Sequence, residues 1–136
     1  MDDVKLFRSL IVMSMVTYTV WYVLPYIEVR FQSADTVDLL SFSGYNAKVR
    51  VESWVFNVSH LVFLAASVLM YFFIAIGRSV FLWFYLFWLV LRVFMGVDIQ
   101  TGLSGTLGSI IGLLDGAIIY MAYFSSVERY FGTDNV

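Results

Sequence analysis

The sequence predicts an all-α membrane protein: four transmembrane helices in an antiparallel bundle, with a small extramembrane loop between the first and second. Three observations carry this. Of 136 residues, 61% are hydrophobic and only 13% charged, outside the composition of soluble domains. Four apolar segments are each long enough for a ~30 Å hydrocarbon core, which takes roughly 20 helical residues. The last of them, residues 105–125 (GTLGSIIGLLDGAIIYMAYFS), repeats glycine at Gly108, Gly112 and Gly116, one helical turn apart, with Gly105 leading in. Small residues at that spacing let another helix approach closely in lipid.

The spans are expected at about residues 6–26, 53–76, 80–97 and 104–126, in one domain covering 1–136. The first follows Lys5 and Arg8 and ends at Pro25, with Trp21, Tyr22 and Tyr26 at the interface. No small-x-small cleavage site follows it, so it reads as an uncleaved membrane helix rather than a signal peptide. Gly77-Arg78-Ser79 is read as the tight turn that returns the third span beside the second. Residues 127–136 read as a polar, fraying tail.

Residues 27–52 form the sizeable extramembrane loop. Both IEVRF (27–31) and AKVRVE (47–52) alternate apolar with polar residues, the period of a strand. Together they allow a short antiparallel ribbon, with Glu28 and Arg30 facing Arg50 and Lys48. Between them, residues 35–42 read as helical turns started by Ser33 or Asp35, followed by a turn at 43–46. Lys5, Arg8, Arg78 and Arg129 fall on one side of the membrane, and Arg30, Lys48 and Arg50 on the other. Four against three favours cytoplasmic N- and C-termini, with a bacterial inner membrane as the expected location.

Polar residues inside the spans are the candidate site. Asn57 and His60 share a seam of the second span with Ser53, Ser67 and Tyr71. Ser14, Tyr18 and Tyr22 line the first, and Tyr85, Trp88, Arg92 and Gly96 the third. Counted at ~1.5 Å per residue, His60 and Arg92 lie roughly 10 and 9 Å in and Asp115 roughly 18 Å in, from the same side. A mid-membrane carboxylate is costly unless neutralised. It is either paired, with Arg92 as the nearest cation, or carried neutral; Arg92 otherwise snorkels to the interface. His60 with Asn57 reads as interhelical hydrogen-bonding glue. Gly105, Gly108, Gly112 and Gly116 read as a packing face, within the chain or against another copy.

Composition excludes much. There is no cysteine and one histidine, so thiolate chemistry and disulfides are out, and haem or zinc sites lack ligands. No cofactor or metal is expected. A net charge of −2 gives no reason to expect nucleic acid. Gly102-Leu103-Ser104-Gly105 resembles the G-x-S-G of rhomboid intramembrane proteases. That resemblance covers four residues and implies Ser104 as nucleophile. Rhomboids place the histidine after the serine on a later helix, whereas His60 precedes Ser104; the alternative reading of Ser104 is a helix start. Three function classes follow. The expected one is a small non-catalytic binding, assembly or regulatory subunit of a larger membrane complex. The others are an oligomeric transporter or channel using Asp115 as its proton or ion site, and an intramembrane serine protease at Ser104. The expected partners are the lipid bilayer and a protein bound through the fourth helix, or a second copy.

Overall fold

In the computed structural model, which describes residues 3–131, the chain is all-helical. The helices are α1 (Asp3–Glu28), α2 (Ala34–Ser41), α3 (Ser53–Tyr71), α4 (Ala75–Phe94) and α5 (Gly102–Phe124), followed by a 3-10 turn at Glu128–Tyr130. α1, α3, α4 and α5 are long and apolar enough to cross a membrane, and the chain is an integral membrane bundle. α1 is its centre. It packs most extensively against α5 and also against α3, which pairs with α4; α4 and α5 touch little.

The connection between α3 and α4 lies earlier than glycine placement predicts. α3 ends in a Schellman motif: the Ile74 amide bonds Leu69 O (2.9 Å) and the Phe73 amide bonds Met70 O (2.9 Å). The left-handed position that this motif needs is usually glycine, but here it is Phe73, with φ +59°. Its ring stacks on Phe7 (5.7 Å) and meets Phe131 edge-on (5.4 Å), and that packing offsets the backbone strain. Gly77 and Arg78 are therefore already inside α4. Gly77 serves contact rather than turning, since a Cβ there would lie 2.5 Å from Leu69 Cβ on α3.

The end of the bundle that carries both termini is closed by aromatic rings and arginines. Phe7, Val127 and Phe131 are buried, so the start of the expected fraying tail is docked; residues 132–136 lie outside the described ones. The Arg8 guanidinium lies over the Tyr71 and Phe73 rings, and Arg78 over Tyr123 and Phe131. Arg78 also donates to Ala122 O (3.2 Å). Cation–π contact lets these charges sit in apolar surroundings at a helix end.

At the opposite, loop end, the expected ribbon does not form, and no strand occurs among the described residues. α1 runs through Pro25 and takes in Ile27 and Glu28. Glu28 accepts from the Thr101 hydroxyl (2.7 Å) instead of facing Arg50 or Lys48. The other half of the expected ribbon bonds to the end of α4: the Lys48 and Val49 amides both reach Phe94 O, Gly44 N reaches Val97 O, and Val97 N reaches Tyr45 O. The physical reason is supply. A helix terminus leaves free carbonyls, and those of α4 lie within reach of the loop. The helical turn does form, as α2, with Ser33 accepting from the Thr36 amide as its cap.

Gly96 is where this seam is tightest. Its φ is +82°, and a Cβ would run into Tyr45 O and lie 2.7 Å from Ala47 N. Gly96→Ala is therefore expected to cost about 1–3 kcal/mol, the cost of holding a non-glycine residue in strained backbone. Limited proteolysis and thermal unfolding in detergent check it: the loop at 42–50 should be cut faster and the unfolding midpoint should fall.

Candidate functional site

Of the buried polar residues, Ser14 lies on α1, and His60, Ser104 and Asp115 contact that helix. Ser14, one helical turn beyond the buried Ile11, faces α5 and donates to Asp115 Oδ1 at 2.6 Å. Both residues are buried, Asp115 at 4% exposure and Ser14 at 1%. This hydrogen bond joins the mid-points of two antiparallel membrane helices. In low dielectric a hydrogen bond of this kind is strengthened, and its loss leaves a carboxyl without a partner.

One and two turns along α1 toward the loop end stand Tyr18 and Tyr22. His60 of α3 lies against both rings, stacked on Tyr22 at 4.2 Å and on Tyr18 at 5.3 Å. The Tyr22 hydroxyl donates to Asn57 Oδ1 at 2.5 Å. His60 is buried and its Nδ1 has no hydrogen-bond partner, so ring stacking holds it. Tyr18 also packs on Phe63 at 4.2 Å. The column Asn57–Tyr22–His60–Tyr18 thus leads from the loop end toward the Ser14–Asp115 pair.

Arg92 is not part of this column. It sits in the last turn of α4 and pairs with Asp98 at 2.9 Å, both side chains about half exposed. Gln100 donates to the same Asp98 oxygen at 2.6 Å. Arg92 takes the interfacial position, and Asp115 is held by Ser14 rather than by a cation. α4 ends at Phe94, earlier than expected, which puts Arg92 only about 3 Å from the helix end at the usual rise per residue.

The four glycines of the expected packing face, Gly105, Gly108, Gly112 and Gly116, diverge. A Cβ on Gly108 would lie 3.7 Å from the Trp21 indole nitrogen, and one on Gly105 would lie 3.7 Å from Gln100 Oε1. At Gly112 and Gly116 it would meet nothing within 4 Å. The helix turns its Ser104, Ile111, Asp115, Ile118 and Ala122 face inward, which leaves the deeper glycines on an open face. Ser104 lies in the first turn, its amide capped by Thr101 (3.1 Å) and its carbonyl taking the Trp21 N–H (3.1 Å). No hydrogen bond joins Ser104 to His60 among the described residues. The Trp21 contact was not foreseen; its only signal was an interfacial tryptophan.

Asp115 and Ser14 should behave as a coupled pair and Arg92 as a bystander. Ser14→Ala is expected to cost about 1–3 kcal/mol by leaving the buried carboxyl unpaired. Arg92→Ala and Asp115→Asn should add to within about 0.5 kcal/mol, as distant sites do. Denaturation of the single and double variants in mixed micelles measures both.

The chain matches no protein-family model, no curated protein and no solved structure, so its function has to be read from this geometry.

Proposed function

We propose that the protein is a small non-catalytic subunit of a larger membrane complex, bound to its partner through the glycine face of α5. The observation that carries this is the open side of Gly112 and Gly116 in the middle of a membrane span. In lipid, apolar surface gives no net drive to associate, because acyl chains are as apolar as leucine. A backbone laid bare by two glycines one turn apart is different. A second helix can come close enough for broad dispersion contact and Cα–H···O bonds, which lipid chains fill less well. Leu113 and Tyr120 are exposed on the side next to Gly116 and supply an apolar wall.

The loop end of the same face carries a polar mouth. A groove of ≈ 430 Å³ is lined by Arg92, Asp98, Gln100, Thr101, Gly105, Gly108 and Ser109. It gives a partner helix polar groups to meet at the interface, where desolvation costs less than in the hydrocarbon. The reading places both termini in the cytoplasm of a bacterial cell, by the basic residues Lys5, Arg8, Arg78 and Arg129. A second reading, an oligomeric transporter, is favoured by one observation: Asp115 is buried mid-span with a hydroxyl, not a cation, as its partner.

Gly112→Leu combined with Gly116→Leu tests the subunit reading. The Cβ added at either position would meet nothing within 4 Å, so the thermal midpoint of the isolated protein should not fall. The partner co-purified from native membranes should fall about tenfold or more, the effect of removing roughly 1.4 kcal/mol of association. Full retention of the partner would contradict the assignment of the face. A partner-free homo-oligomer would favour transport.

A further inference from the structure

The terminal end of the bundle holds a cavity of ≈ 340 Å³ between the start of α4 and the end of α5, lined by Arg78, Ser125, Ser126, Glu128 and Arg129. Arg78 stands in the first turn of α4, and Ser125 follows the last residue of α5. At ~1.5 Å per residue, Arg78 is roughly 5 Å inside the start of its helix. The headgroup layers add about 5–7 Å to each side of the hydrocarbon core. The cavity therefore lies at the level of the lipid phosphates.

Two arginines on one wall repel each other unless an anion stands between them. Among the described residues the salt bridge is that of Arg92 with Asp98, and neither Arg78 nor Arg129 is paired with a carboxylate. Arg78 is held in place by its surroundings. Its guanidinium lies over the Tyr123 ring at 4.7 Å and the Phe131 ring at 5.3 Å, and it donates once, to Ala122 O. A guanidinium carries five N–H groups, so most of those on Arg78 have no acceptor among the described residues. Arg129, exposed on the turn after α5, rests on the neighbouring Tyr130 ring at 5.3 Å. The serines of the wall are committed elsewhere: Ser125 donates to Met121 O, and Ser126 to Asp3, which does not line the cavity. The free donors of this cavity are thus those of its arginines.

We infer that this cavity binds the phosphodiester of an anionic phospholipid. Charge sets the class. Arg78 and Arg129 against Glu128 leave the wall one positive charge in excess, which one singly charged phosphodiester neutralises. A doubly charged phosphomonoester would leave a surplus negative charge, and a zwitterionic headgroup brings a cation of its own toward the arginines. Shape agrees, because the planar guanidinium fork matches phosphate oxygens. The surroundings favour a lipid over free phosphate. Ile74 and Ile76 at the start of α4 and Tyr120 and Phe124 at the end of α5 are exposed, and they offer acyl chains an apolar surface next to the phosphate level. Basic pockets between membrane helices hold anionic headgroups in this way. The cavity is at the opposite end of α5 from the groove proposed to meet a partner, so the inference does not rest on the subunit reading.

The test takes the purified full chain, stripped of lipid in a neutral detergent, and adds phosphatidylglycerol, phosphatidylcholine or inorganic phosphate. Thermal midpoints report binding, and native mass analysis counts the lipids retained. Phosphatidylglycerol should raise the midpoint and stay bound at about one per chain, while the other two should do so far less. Arg129→Gln should keep the lipid-free midpoint but bind phosphatidylglycerol about fivefold more weakly, the effect of one basic residue at a membrane surface. Glu128→Gln should bind it more tightly, and Lys48→Gln, at the loop end, should bind it unchanged. Arg78→Gln should lose most of the response. Because Arg78 also holds the end of α5, Arg129→Gln and Glu128→Gln decide if that variant fails to fold. Equal responses to the two lipids, or an equal response to inorganic phosphate, would overturn the proposal. So would an equal loss in Lys48→Gln, which would mean general surface attraction. A purely structural role for the arginines would shift the lipid-free midpoint and leave phosphatidylglycerol affinity unchanged, and that result too would overturn it.

Discussion

The hydrogen bond from Ser14 to Asp115 is the contact on which the arrangement of this bundle turns. A carboxyl about 20 Å from the loop end of α5, at the usual rise per residue, has no water to meet it, so α5 must present Asp115 to a protein group. Only a helix with a small polar residue at the same depth can supply one without a void, and α1 does. With α1 fixed against α5, the inward face of α5 runs Ser104, Ile111, Asp115, Ile118 and Ala122. The glycines at 112 and 116 then lie off that face, where a Cβ at either would meet nothing within 4 Å. The open face and the buried acid are thus two consequences of one rotation of α5.

The two ends of the molecule solve different problems. At the terminal end, arginines are accommodated by aromatic rings and backbone carbonyls, and Phe73 accepts a left-handed backbone so that its ring can join Phe7 and Phe131. At the loop end, charge and backbone are satisfied by exchange between loops: residues 44–49 bond to 94–97, Thr101 ties α5 to Glu28, and Arg92 pairs with Asp98. These seams hold α4 to α3 and to the loop, while α5 is held by α1. The two pairs of helices meet mainly through α1 and α3, which leaves the groove between α4 and α5 at the loop end.

The spans were legible because hydropathy and length are properties of the segments themselves. Ser14, Tyr18 and Tyr22 were legible as a line, and Asn57, His60 and Ser67 as another, because helical periodicity needs no partner to be seen. What could not be read was which side chains meet. Gly77 signalled a turn, but the left-handed residue was Phe73, whose strain is offset by rings from distant segments. Alternation at 47–52 signalled a strand, but the carbonyls it bonds belong to a helix end. The expected Arg92–Asp115 pair failed on a boundary: a helix ending at Phe94 rather than 97 moves Arg92 toward the interface. The glycine stripe was plain in the sequence, while its open side depended on the rotation set by Asp115.

The register of α1 against α3, set by Tyr22 on His60 and Tyr18 on Phe63, is the central claim, and the absence of native cysteine makes it directly measurable. Ser14→Cys and Ser67→Cys, introduced together and treated with mercuric ion in native membranes, should be bridged within the chain. Ser14→Cys with Leu61→Cys, whose position on α3 is 65% exposed, should not be bridged. Bridging of the first pair alone would fix the register that sets Ser67 level with Ser14, one turn beyond the Tyr18–Phe63 contact. Failure of the first pair, or equal bridging of both, would contradict it.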